Sequence, residues 1–366
     1  MLGTNYDAKD STACALRPMV LSPLPPTPSV SVLISSYNYL KYVGECIESV
    51  LRQSYQHFEV IVSDDGSTDG SVQEIGRWAV ADPRVRLIAG QHRGMAGALN
   101  AAWRESSGQV ICFLDADDTF LMGKLEAVVR ALQSNPQVGY VIHRTCRMDA
   151  QGNRCGVLPL LKSGPSGWCA SRVLACGGVL ADVPPTSNLS FRREVLERVF
   201  PLPEDLQGYA ELVIQRVAPL LTSVLSLDQA LATWHLHGAN DINAPGISDH
   251  QLEREIEVMD TLWGIQRRYL AAAAPHATRA LRPVTSSDYY CRMRYMMARR
   301  RSPAESGLWR RHLLDSPGFR DRPLLDRCLW RIAPALPTRL LNRLFDVTMT
   351  QNRVKEWITR LWRIGA

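Results

Sequence analysis

The sequence predicts an α/β protein built on a mostly parallel sheet, and three observations carry that reading. Apolar runs of strand length alternate with segments of helical spacing from Val30 to Gln133. Alternation of this kind implies right-handed crossovers, which gather the carboxyl ends of the strands on one rim. The runs ending at Val62 and Leu114 then pass directly into carboxylates, Asp64 and Asp65 in one case and Asp115, Asp117 and Asp118 in the other. Composition agrees: 46% hydrophobic and 21% charged residues over 366 positions suit a folded body and exclude disordered, collagen-like or coiled-coil designs.

Residues 1–28 are polar, then proline-rich, and read as an extended mobile leader. The first predicted strand is Val30–Ile34, followed by a helix over Tyr42–Gln53 through Val43, Ile47, Val50 and Leu51. Phe58–Val62 is the next strand, and the Ser, Thr and Asp residues after it suit a turn and the cap of a helix running to about Val80. Val85–Ile88, a helix over Met95–Glu105, strand Val110–Leu114, a helix over Met122–Gln133 and strand Gly139–His143 continue the alternation. The Gly- and Cys-bearing stretch to Gly178 gives no clear element. Beyond it come a loop and short strand over Pro184–Phe191, helices over Arg192–Val199 and Leu212–Leu220, and an amphipathic helix over residues 251–270. The expected organisation is a leader (1–28), a catalytic domain (29–245) and a basic helical region (246–366).

A buried strand that delivers Asp115, Asp117 and Asp118 at its end is costly unless the charges are paired or neutralised by a cation. Glycine phosphate loops are absent: Gly90, Gly94 and Gly97 do not fit G-x-G-x-x-G, and a calcium loop from Asp115 would have Phe120 where glycine is required. A phosphate-bearing ligand at this rim would therefore take its counter-charge from a divalent cation on Asp115 and Asp117.

At these residues a resemblance becomes specific. Val30–Asn38, then Asp64–Asp69, then Asn100 ahead of Gly108, then Leu114–Asp118 resemble the successive motifs of family 2 glycosyltransferases with the GT-A fold. Pro185–Arg193 and Trp234–Asn240 extend the resemblance over about residues 29–240. It implies an inverting transfer of a sugar from a nucleoside diphosphate, UDP-sugar favoured, to a hydroxyl of a glycan or lipid-linked glycan. Ser35, Tyr37, Asn38, Asp65 and Asp115 would bind the nucleotide, with Asp65 accepting the N3–H of a uracil-like base or capping a helix. Tyr37 would stack on the base or pack at the sheet edge.

Asp115 and Asp117 match the family's D-x-D pair, implying Mn2+ or Mg2+ as cofactor. Glu211 falls where the family places its catalytic base, usually Asp, with Glu204 and Asp205 as alternatives. His237 would contact the metal or diphosphate, or serve as a buried structural histidine, and His235 stands where the family has Arg.

The net charge of +6 and clusters such as Arg299–Arg301 allow an anionic membrane surface as partner or simple solvation. Val354, Trp357, Ile358 and Leu361 share a helical face flanked by Arg353, Lys355, Arg360 and Arg363, suiting an interfacial helix or one packed on the body. Nine scattered cysteines without a C-x-x-C pair, and no signal-like start, point to the cytoplasm, with a peripheral position at the inner membrane face. The competing readings are a sugar-phosphate nucleotidyltransferase, which should carry a Gly-rich basic loop where Ser35–Asn38 stands, and a non-catalytic basic scaffold. The acidic rim argues against nucleic acid as a partner there.

Overall fold

Four parallel strands form the first half of the sheet: β1 (Val30–Ser36), β2 (Phe58–Asp64), β3 (Val85–Ala89) and β4 (Val110–Asp115). The computed structural model describes residues 16–149, 151–158, 164–181, 183–206, 209–235, 248–322, 324–337 and 340–342. Helices α1 (Val43–Leu51), α2 (Ser71–Ala81) and α3 (Gly94–Glu105) make the crossovers, as the apolar periodicity predicts. The sheet continues through β5 (Thr119–Phe120), α4 (Lys124–Ser134), β6 (Val138–Met148), β7 (Arg154–Leu158), β8 (Leu189–Arg192) and β9 (Ser223–His235). Among the described residues it has nine strands in the order β3-β2-β1-β4-β8-β6-β9-β5, with β7 on β6. β8 is antiparallel to both β4 and β6, so the parallel half meets a mixed half at β4, the strand that carries the acids. The strand order reverses between β1 and β4, and in open α/β sheets ligands bind outside the carboxyl ends of the strands at such a point.

Val32, Ile34, Val60, Val62, Cys112 and Leu114 bury one sheet face under Val43, Ile47, Ile75, Leu125 and Val128 of the helices. Close packing at Gly108 fixes the entry to β4. Its N–H donates to Ser31 Oγ at 2.7 Å, and a Cβ there would lie 2.4 Å from the Ser31 nitrogen. Gly108→Ala is expected to destabilise the fold by about 1–3 kcal/mol through overpacking, read from urea unfolding.

Residues 17–28 are held to this body rather than free of it. Met19 N–H donates to Leu221 O at 2.7 Å, Arg192 to Ser22 O at 2.6 Å, and Gln133 to the carbonyls of Pro25 and Pro26 at 2.8 and 3.0 Å. Prolines leave their carbonyls as acceptors, which these side chains use. Between β8 and β9 lie α6 (Arg193–Leu196), shorter than the helix expected over Arg192–Val199, and α7 (Ala210–Val217).

The chain divides into two compact units, the one just described falling within Arg17–Cys169 and Val183–Gly238. The second falls within Ala170–Asp182 and Ala239–Ala366, so it includes α5 (Ala170–Ala175) from the middle of the sequence. The expected boundary at 245/246 lies outside the described residues. Its further helices are α8 (Asp249–Ala273), α9 (Asp288–Arg301), α10 (Pro303–Asp315), α11 (Pro317–Arg320) and α12 (Leu324–Ile332). Ser248 opens α8 with a capping box to Gln251, and Ser287 and Ser302 cap α9 and α10. Leu252, Ile256, Met259, Met293, Met296 and Trp330 form its core. Within it Asp288 pairs with Arg292 at 3.0 Å and Arg322 at 2.6 Å, both guanidinium charges holding its buried carboxyl below the usual range against the cost of burial. The candidate interfacial helix around Val354–Leu361 lies outside the described residues.

Candidate active site

The rim begins with the two acids after β2, and both are already engaged. Asp64 Oδ1 accepts Ser67 N–H at 2.7 Å and Gly66 N–H at 3.1 Å, while Oδ2 accepts the Ser67 hydroxyl at 2.6 Å, closing the acidic turn on itself. Asp65 reaches across to the start of α3, where its two oxygens accept Arg93 N–H and Gly94 N–H, each at 2.8 Å. That is a helix cap, and it leaves Oδ1 a second lone-pair site for a ligand N–H. His92 Nδ1 lies 2.9 Å from Asp65 Oδ2.

Tyr37 does not pack at the sheet edge. It is 43% exposed and lies against the His92 ring, with centroids 4.4 Å apart and planes at 32°. Two exposed rings beside a carboxylate offer a flat base both a stacking surface and an acceptor. Asn38 has φ of +59°, a left-handed conformation that asparagine tolerates, and its side chain accepts Thr68 N–H at 2.9 Å. Its role in the structure is to tie the first loop to the acidic turn. Ser35 lies in register between Ser63 and Asp115 at the end of β1.

At the end of β4, Asp115, Asp117 and Asp118 separate into different surroundings. Asp118 is buried; its Oδ2 accepts the Ser187 hydroxyl at 2.5 Å and its Oδ1 accepts His235 N–H at 3.2 Å. Burial, then the charge of Asp117, pushes its carboxyl up to about 8. Asp115 has no partner for its buried Oδ1. Burial, followed by the charges of Asp118, Asp117 and Glu211, holds its carboxyl well above the usual range. Asp117 shares a hydrogen bond with the phenol of Tyr39, whose own proton is held more tightly by burial and by that charge. The His235 ring closes the cluster, Nδ1 donating to Asp117 O at 2.7 Å.

One cation lies beneath these acids. Lys124, the first residue of α4, is fully buried, donates to Ser187 O at 2.6 Å and sits 3.4 Å above the centre of the Phe120 ring. Burial brings its ammonium down to about 7.

The folded metal-free protein thus binds protons at Asp115 and Asp118 more tightly than the unfolded chain does. Their contribution to stability is complete below the unfolded carboxylate range and is lost as pH rises towards about 8. Lys124 acts oppositely, but only above about 7, where the unfolded chain alone still carries its proton. Metal-free protein should therefore lose several degrees of Tm between about pH 5 and pH 7, levelling above that, as followed by calorimetry.

Glu211 stands in the first turn of α7, and its charge acts on the Asp115 carboxyl. The alternatives are placed otherwise. Glu204 is in an ion pair with Arg93 at 2.6 Å and within 3.4 Å of Asn100 Nδ2, while Asp205 is exposed. Asn100 clips the same loop, its amide donating to Leu202 O at 2.8 Å and accepting Leu202 N–H at 2.7 Å. His237 lies outside the described residues.

The sequence reading missed Tyr39, His92, Lys124 and Ser187. Ser187 stood in the Pro185–Arg193 motif without a role, and nothing in the periodicity of α4 marks Lys124 as buried.

Comparison with solved structures shows the fold. The S. aureus TarS fragment 1–349 in complex with UDP-GlcNAc superposes with a TM-score of 0.52 at 17% identity, covering 88% of this chain and 92% of that one. The mannosyltransferase PcManGT of Pyrobaculum calidifontis, in complex with GDP-Man and Mn2+, gives 0.50 at 19% identity, with 92% and 90% covered. The protein has the GT-A fold. Residues 31–200 match the family described as Glycosyl transferase family 2, which supports a family 2 glycosyltransferase. An uncharacterised glycosyltransferase of Nostoc sp. is 37% identical over 216 residues, which are 58% of this chain and 66% of that protein.

Proposed function

We propose that the protein is an inverting glycosyltransferase that moves a sugar from a UDP-sugar donor to a hydroxyl of a glycan or lipid-linked glycan. The observation that carries this reading is the crowding of Asp115, Asp117 and Asp118 at the end of β4, within reach of the charge of Glu211. Fold neighbours in complex with UDP-GlcNAc, and with GDP-Man and Mn2+, support a nucleotide-sugar at this rim.

The acids fit a divalent cation. Asp115 has a buried oxygen without a partner, and like charges crowd it, so a cation would relieve both penalties. Among the described residues no group of three His, Cys, Asp or Glu could hold a metal by itself, so Asp117 and Asp115 would share Mn2+ or Mg2+ with the donor's diphosphate, water and His237. The bound cation would neutralise the diphosphate as it leaves.

The chain's own residues do the rest. Asp65 accepts the N3–H of the base on the spare lone pair of Oδ1 while Tyr37 stacks on the ring. Ser35 and Asn38 line the loop beneath the nucleotide. Glu211 takes the proton of the acceptor hydroxyl as that oxygen bonds to C1 and the bond from C1 to the diphosphate oxygen breaks on the opposite face.

No helix among the described residues is long and apolar enough to cross a membrane. We place the protein at the cytoplasmic face, peripheral to an anionic surface, on the charge and apolar spacing of its last residues. Incubation with a panel of nucleotide sugars tests the donor assignment: Mn2+-dependent release of UDP from one UDP-sugar is the expected result. Release from none of the panel, with or without Mn2+, contradicts it.

A further inference from the structure

We propose that Ser187 is a positioning residue that assigns the acids of the rim to different tasks, locking Asp118 into the protein and leaving Asp115 and Asp117 to the donor. The inference rests on the donor-site reading above. Three contacts converge on this fully buried serine. Its hydroxyl donates to Asp118 Oδ2 at 2.5 Å and accepts Asp115 N–H at 3.1 Å, and its carbonyl accepts the Lys124 ammonium at 2.6 Å.

A hydroxyl has one proton to give. Asp115 Oδ2 lies 3.5 Å from the same oxygen, so the short contact to Asp118 claims the proton and Asp115 keeps only a long one. Asp118 has a partner on each oxygen, Ser187 on one and His235 N–H on the other, whereas Asp115 Oδ1 has none. The consequence is an ordered division: one carboxyl fixes the strand ends, and the next keeps an oxygen with no partner in the protein.

A buried hydroxyl that only satisfied itself would need a single acceptor. Here the residue also anchors an ammonium buried beneath the acids, an arrangement too costly to persist without compensating contacts. Lys124 thereby holds the turn Thr186–Asn188 against the end of β4, and Ser187 relays that placement to Asp115 through its main-chain N–H.

The test compares wild-type protein with Ser187→Ala and the isosteric Ser187→Cys, which keeps the volume and weakens the donor. UDP affinity is measured by titration calorimetry with and without Mn2+, beside Tm and the split between KM and kcat for the donor. The expected result is that either variant reduces the Mn2+-dependent gain in UDP affinity by about 10-fold or more, as removal of a residue that orients metal ligands does, and raises donor KM. UDP affinity without Mn2+ should stay at the wild-type value. If the alanine variant does not fold, the cysteine variant supplies the reading. An unchanged Mn2+-dependent gain in a folded variant whose Tm alone has dropped would overturn the proposal. Wild-type protein showing no Mn2+-dependent UDP binding would instead remove the donor-site reading beneath it.

Discussion

Asp117→Ala is expected to lower sugar transfer by about a thousandfold while the protein remains folded. Asp117 lies at the strand ends beside Asp115, bonded to Tyr39, and its backbone carbonyl receives the His235 ring. A cation held there would supply about 4 kcal/mol of charge stabilisation to the departing diphosphate, which corresponds to that factor. Stability should change little, because the substitution removes one Tyr39 contact and, with it, a negative charge from a crowded cluster. Kinetics with excess Mn2+ and circular dichroism on the same sample separate the two effects. Transfer within tenfold of wild type would refute a metal role for Asp117.

Glu211→Gln carries the second large effect. The amide keeps the shape and loses the basicity, so kcat should fall by about 10²–10⁴ with donor affinity preserved. Glu204→Gln should leave kcat near wild type, because that carboxylate is already paired with Arg93 at the loop that Asn100 clips. If Glu204→Gln abolished transfer and Glu211→Gln did not, the base would have been assigned to the wrong end of the loop.

Much of this architecture is legible in the sequence because it rests on local signals. Val30–Ile34, Phe58–Val62, Val85–Ile88 and Val110–Leu114 are apolar runs flanked by turn residues, and each forms the core of an observed strand. What escaped notice depends on distant pairing. β5 has two residues and exists through its partner β9, and β7 contains Gly156 and Cys155 and is recruited by β6. The prolines of 18–28 suggested mobility, whereas Gln133, Arg192 and other distant residues bind that stretch to the body.

The site divides the same way. Three carboxylates within four positions announce a cation, but the separation of Asp118 from Asp115 comes from Ser187, 69 positions from Asp118. Asp65 was visible as an acid on the rim, while its cap on α3 depends on Arg93 and Gly94, 28 and 29 positions away. Lys124 carries no local signal of burial, and it is buried by packing that sets its ammonium over the Phe120 ring.

Titration of the wild-type protein with UDP in the presence and absence of Mn2+ tests the central claim most directly. Saturable binding that strengthens with Mn2+, and loses that gain in Asp117→Ala, is the result expected of a donor site whose acids share a cation with the diphosphate. UDP binding of equal strength with and without Mn2+, or none at all, would contradict it.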